Sequence, residues 1–167
     1  FVEWNPLTGV QAIASPQFKF VDFILLFDEK EKQVSSSEAH LRVMSSPHYA
    51  GRVDRAHHRL SLILGALEEQ NLTTLSDLVL CDALDMHDLF HTSNPPFSYL
   101  NAESKSWIDR AKNRDADFPT KDLILTLDAG ANVHLFVLEE TTGVWETYLR
   151  KNSIKFICSK AGKGAHY

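Results

Sequence analysis

The chain has 167 residues, 44% of them hydrophobic and 23% charged, with a formal net charge of -5. That size and composition suit one compact domain with a substantial core. The acidic balance excludes a nucleic-acid surface spread over the fold, and the longest apolar run, residues 23–27, is far too short to span a membrane.

In chain order, FVEW at residues 1–4 reads as a strand that starts abruptly. Residues 1–17 are set apart from residues 18–167, which read as the domain proper. Residues 18–27 (FKFVDFILLF) read as a strand buried on both faces. The run DEKEK is a solvated turn. Helical periodicity then holds from Ser37 to about Asp115. In residues 51–71, Val53, Ala56, Leu60, Ile63, Leu64 and Leu67 form an amphipathic stripe. Leu75, Val79, Ala83, Met86 and Phe90 continue it over residues 72–92, and Asn94-Pro95-Pro96 ends it. Residues 100–114 are a third amphipathic segment, with Asn101 as N-cap.

Period two returns at residues 122–127 (DLILTL) and 133–138 (VHLFVL). A short helix follows over 142–151, then a strand over 153–158, and the tail AGKGAHY reads as irregular. The order is that of an α+β, ferredoxin-like split βαββαβ fold with an expanded first crossover. It predicts a four-stranded, mostly antiparallel sheet with helices on one face. Cys81 and Cys158 lie in apolar stretches without CxxC spacing and read as reduced core thiols of a cytoplasmic protein with no visible signal peptide.

Four places could carry chemistry. Asp128 follows a hydrophobic strand and precedes Ala129-Gly130-Ala131-Asn132. A carboxylate anchored there can act as a general base, or it can simply bond its own turn. Val34-Ser35-Ser36-Ser37-Glu38-Ala39-His40 places hydroxyls at a helix start, where they cap the helix or favour an anion. His87 and His91 share a helix face without the HExxH glutamate or a third ligand. They read as half-buried, hydrogen-bonded histidines, with a metal module as the alternative. Residues 52–59 (RVDRAHHR) read as a solvated basic face, or as a contact for a phosphate or a partner subunit.

Together and in this order, these stretches resemble the C-terminal half of the diphosphomevalonate decarboxylases, within the GHMP kinase superfamily. Phe1-Val2-Glu3-Trp4 resembles the family's FVEW. Residues 34–40 are similar to its VSS-x-x-GM. FHTSNPPFSYLN at residues 90–101 resembles FHAT…PPI-x-YLN, and LDAGANV at 127–133 resembles FDAGPNA. Ala39-His40 stands where the family shows Gly-Met, Ala131 where it shows proline, and Met86-His87 where it shows Asp-Ser.

The resemblance implies an enzyme that uses ATP and Mg2+ to convert mevalonate diphosphate to isopentenyl diphosphate, phosphate and CO2 in isoprenoid biosynthesis. It implies Asp128 as the catalytic carboxylate that orients and deprotonates the 3-hydroxyl. Ser36, Ser37 and His40 are the implied substrate-binding residues. The glycine- and serine-rich phosphate loop of the superfamily has no counterpart in this sequence, so the resemblance implies a missing N-terminal half that holds the nucleotide site, with residues 1–17 as a remnant strand and linker from it and residues 18–167 as the C-terminal domain. A homodimer is implied because the family is usually dimeric. The alternatives are a related mevalonate-type kinase and a non-catalytic dimerisation or regulatory domain.

Overall fold

A computed structural model describes residues 2–5, 9–12, 18–28, 33–160 and 162. Residues 29–32 of the charged turn lie outside the described residues, as do Phe1 and all of the tail except Gly162. Strands β1 (Val2–Asn5) and β2 (Gly9–Ala12) form an antiparallel pair. The second of them lies within the stretch read as linker. Gly9 has φ +78°, a backbone conformation that glycine adopts without steric cost.

The remaining strands form one sheet in the order β4-β5-β3-β6, with every neighbour antiparallel. They are β3 (Phe20–Leu25), β4 (Leu123–Leu127), β5 (Val133–Leu138) and β6 (Phe156–Lys160). Four helices fill the crossover between β3 and β4: α1 (Ser36–Arg42), α2 (Arg52–Glu68), α3 (Leu72–Thr92) and α4 (Ala102–Lys112). Helix α5 (Thr142–Lys151) connects β5 to β6. This is the expected split βαββαβ order, but the helices are not confined to one face, since parts of α2 and α3 cover some of the other.

Alternation along each strand sets the main core. Val21, Phe23 and Leu25 of β3 meet Val133, Leu135 and Val137 of β5, all of them buried. Trp107 of α4 and Trp145 and Leu149 of α5 close over them. The other face is only partly covered. There Ile124, with half-buried Phe20, Phe136 and Leu138, packs against Ala66 and Leu67 of α2 and Leu72 and Leu75 of α3.

Three further expectations are corrected. Strand β3 is not buried on both faces: Val21, Phe23 and Leu25 are buried, whereas Phe20, Asp22 and Ile24 are half-exposed. Cys81 and Cys158 are exposed: Cys81 lies on an open side of α3, and Cys158, although it pairs with core-facing Phe23, sits in the edge strand β6, whose residues are mostly uncovered. The α2 stripe is largely open: Val53 is 56% exposed, and of the six stripe residues Leu67 alone is buried.

Ahead of Ala66 and Leu67 at its C-terminal end, α2 is held by charge. Arg52 makes a two-pronged contact with Asp82 of α3, at 2.9 and 3.0 Å. Arg55 reaches Asp85 at 2.8 Å, and Arg59 reaches Asp85 at 2.6 Å. The basic face is therefore paired within the domain rather than solvated.

Candidate active site

The two exits of the sheet nearest Asp128 are tied together by asparagines. Asn132 Oδ1 accepts from the backbone N–H groups of Phe27 and Asp28, at 2.9 and 3.1 Å. Asn101 Nδ2 donates to the carbonyl of Phe27 at 3.2 Å, while its Oδ1 accepts from Ser104 N–H at 2.9 Å. Asn101 is thus the expected N-cap, in a reciprocal capping box with Ser104, and also a clamp on the end of β3. Only the cap was legible from spacing. The asparagine after a small-residue turn was the available signal for the second clamp.

Asp128 follows directly on Leu127, whose side chain is buried in the main core. The carboxylate itself is exposed, at the wall of a cleft of about 520 Å³. Gly130, Asn132, Tyr99, Asn101 and Val34 line the same cleft. The Asp128 carbonyl accepts from Gly130 N–H at 2.8 Å, which closes the turn.

Tyr99 links this turn to the serine segment. Its hydroxyl donates to the carbonyl of Val34 at 2.9 Å. Burial pushes its phenol up, helped by the nearby carboxylates of Glu38 and Asp128, so it remains a donor. Val34, Ala39 and Phe90 form a small buried cluster, and Tyr99 and Ala129 pack against it. The serine helix and the Asp128 turn therefore share one apolar support.

Residues 22–163 match the family described as the mevalonate 5-diphosphate decarboxylase C-terminal domain. The chain belongs to this family. It is 26% identical over 152 residues to diphosphomevalonate decarboxylase of Homo sapiens, which covers 84% of this chain and 38% of the human protein. It aligns with mevalonate pyrophosphate decarboxylase from Streptococcus pyogenes at a TM-score of 0.86 and 27% identity, covering 99% of this chain and 52% of that one. A third similarity, of fold, is to MDDEF solved in complex with MVAPP, AMPPCP and magnesium, with a TM-score of 0.80 and 22% identity over 92% of this chain and 48% of that one. The chain spans about half the length of these solved relatives and less than that of the human protein.

Within this decarboxylase-family domain, the sequence-derived residues are not all brought together. Ser35 is the N-cap of α1 and accepts from Glu38 N–H at 3.1 Å. Ser36, Ser37 and His40 are exposed on α1 and stand outside the cleft wall that holds Asp128. His87 and His91 part company. His87 is 1% exposed, with Nε2 3.0 Å from the carbonyl oxygen of Asp128. His91 is exposed and pairs with Ser98 Oγ at 3.0 Å. The two rings thus turn to different partners rather than to a common ligand. Among the described residues, no group of three or more His, Cys, Asp or Glu is placed to hold a metal ion. Among the same residues, no helix is long and apolar enough to cross a membrane.

Proposed function

We propose that this chain is the C-terminal part of an ATP-dependent decarboxylase that converts mevalonate diphosphate to isopentenyl diphosphate, phosphate and CO2. The observation that carries the reading is an exposed carboxylate, Asp128, fixed at the exit of a buried strand over a polar cleft. A tertiary alcohol is a poor nucleophile. It needs a carboxylate within reach of its proton and a fixed approach to the phosphorus. Asp128 accepts the proton of the 3-hydroxyl as the oxygen is phosphorylated. Its negative charge also repels the substrate carboxylate that leaves as CO2.

ATP with Mg2+ supplies the phosphoryl group and most of the charge stabilisation for its transfer. The described residues offer no three-ligand metal site, so the reading assigns the nucleotide and its cation to the rest of the polypeptide. Ser36 and Ser37 border the substrate diphosphate, and His40, one turn after Ser36 on the same exposed face of α1, completes that edge. The complete protein is read as a cytoplasmic homodimer.

The test is release of CO2 and phosphate from mevalonate diphosphate by the complete polypeptide carrying this domain. Asp128→Asn should lower kcat by about 10²- to 10⁴-fold with little change in KM. Phosphate transfer without CO2 would make the protein a kinase of the same superfamily. Full activity in Asp128→Asn would remove Asp128 from the chemistry.

A further inference from the structure

Beneath the turn that carries Asp128 lies a side chain that the chemistry above does not use. His87 sits in the middle of α3, almost wholly buried. Its Nε2 faces the Asp128 carbonyl. Its Nδ1 is buried with no hydrogen-bond partner among the described residues, and its ring meets Phe90 edge-on at 5.2 Å.

These observations fix the state of the ring. A carbonyl oxygen only accepts, so Nε2 carries the proton. A second proton, on Nδ1, would place an unpaired N–H and a charge in a buried wall. Burial accordingly pushes the imidazole down to about 4. His87 is a neutral strut with one donor.

The Asp128 carbonyl has two lone pairs, and both are engaged. One accepts from Gly130 N–H at 2.8 Å and the other from His87 Nε2 at 3.0 Å. Two donors from different elements set the plane of the peptide that follows Asp128. That plane constrains the Asp128 backbone, and the backbone sets the direction in which the carboxylate leaves the sheet.

We propose that His87 is a positioning residue for Asp128, holding its peptide so that the carboxylate enters the cleft at the depth and angle the substrate hydroxyl requires. The proposal rests on the decarboxylase reading of Asp128. His87 itself touches no reacting atom and exchanges no proton with the substrate.

The experiment uses the complete polypeptide with mevalonate diphosphate, ATP and Mg2+, together with crystal structures of the same variants. His87→Leu fills the space without the donor. His87→Gln returns an N–H close to the place of Nε2. His87→Asn, too short to reach the carbonyl, replaces the leucine variant if that does not fold.

The donor-less variant should lose about ten- to a hundredfold in kcat, as expected for a misplacement of about 1 Å. Its KM should stay within about threefold. The glutamine variant should recover most of kcat, and the Asp128 carboxylate should be displaced in the first structure and restored in the second. Equal kcat in all three proteins overturns the proposal. So does equal loss in the leucine and glutamine variants with Asp128 unmoved, which would make His87 a packing residue. If the wild-type polypeptide releases no CO2, the decarboxylase reading fails. The positioning claim is then decided by the Asp128 displacement alone.

Discussion

At the scale of single residues, Tyr99 shows how much of the site hangs on one hydroxyl. Its O–H···O=C bond to Val34 ties the SYLN segment to the serine segment. A typical hydrogen bond contributes about 1 kcal/mol net, so Tyr99→Phe should cost about that much in a urea melt. The larger effect should be on substrate binding. With Val34 released, the start of α1 loses its fixed distance from the Asp128 turn, and KM for the diphosphate substrate should rise about three- to tenfold with kcat nearly kept. A drop in kcat alone would mean that Tyr99 acts on Asp128 instead. His87 makes the complementary residue-scale case, because its protonation works against the fold. Burial holds its imidazole near 4, against 6.5 for an unperturbed histidine. Between those values the unfolded chain takes up a proton that the folded chain refuses. The associated stability is complete above pH 6.5 and is lost as pH falls towards 4, by up to about 3 kcal/mol. Thermal melts of wild-type and His87→Gln proteins at pH 7 and pH 5 check the sign, since the glutamine variant should lose less on acidification.

At the scale of elements, the strands and helices were legible because their periods are clean. Residues 133–138 alternate buried and half-exposed as period two requires, and Asn101 with Ser104 starts α4 where the capping pattern put it. The place of the catalytic candidate was legible for a related reason: an acid directly after a buried strand leaves the sheet at a point the strand fixes, whereas the His87 contact beneath it was not legible. What could not be read was partnership across long separations. Spacing shows that Arg52, Arg55 and Arg59 share a face, but not that Asp82 and Asp85, some 30 residues on, turn towards them. That is why α2 looked like an apolar helix with a solvated basic side, whereas its apolar stripe is left half open and its guanidiniums hold it to α3. Burial pushes the Asp85 carboxyl up, and the hydrogen bonds and charges of Arg55 and Arg59 outweigh it, bringing it from 3.8 to about 2. Its contribution is therefore complete above pH 3.8 and disappears as pH falls through 2. Asp85→Ala leaves the guanidiniums of Arg52, Arg55 and Arg59 without this counter-charge and should destabilise the protein by about 2–3 kcal/mol at pH 7. Denaturant melts should show the gap between variant and wild type narrowing towards pH 2. A gap that persists there would assign the loss to packing instead.

At the scale of the whole molecule, the question is what this domain can do unaided. It presents a carboxylate over a cleft, and the reading asks that carboxylate to deprotonate an alcohol while a phosphoryl group is delivered in line. Phosphoryl transfer depends on cationic stabilisation of the moving charge. The guanidiniums of α2 do not offer it, because Arg52, Arg55 and Arg59 are all engaged with Asp82 and Asp85. Nor do the described residues assemble three ligands for a metal ion. The relatives aligned over nearly all of this chain are about twice its length, which leaves ample room elsewhere for the nucleotide and its cation. The 167-residue chain should therefore fold on its own sheet and cores yet release neither phosphate nor CO2 from mevalonate diphosphate and ATP with Mg2+. The complete polypeptide should do both. Circular dichroism with a cooperative melt shows whether the isolated chain is folded, and a phosphate assay run for hours shows whether it turns over. Activity above background in the folded chain would place a nucleotide site within these residues, and the division of labour argued from the paired arginines would be wrong. A folded, silent chain that regains turnover when the remaining half is added in trans would locate the phosphoryl-transfer charge in that half and leave Asp128 as this domain's contribution.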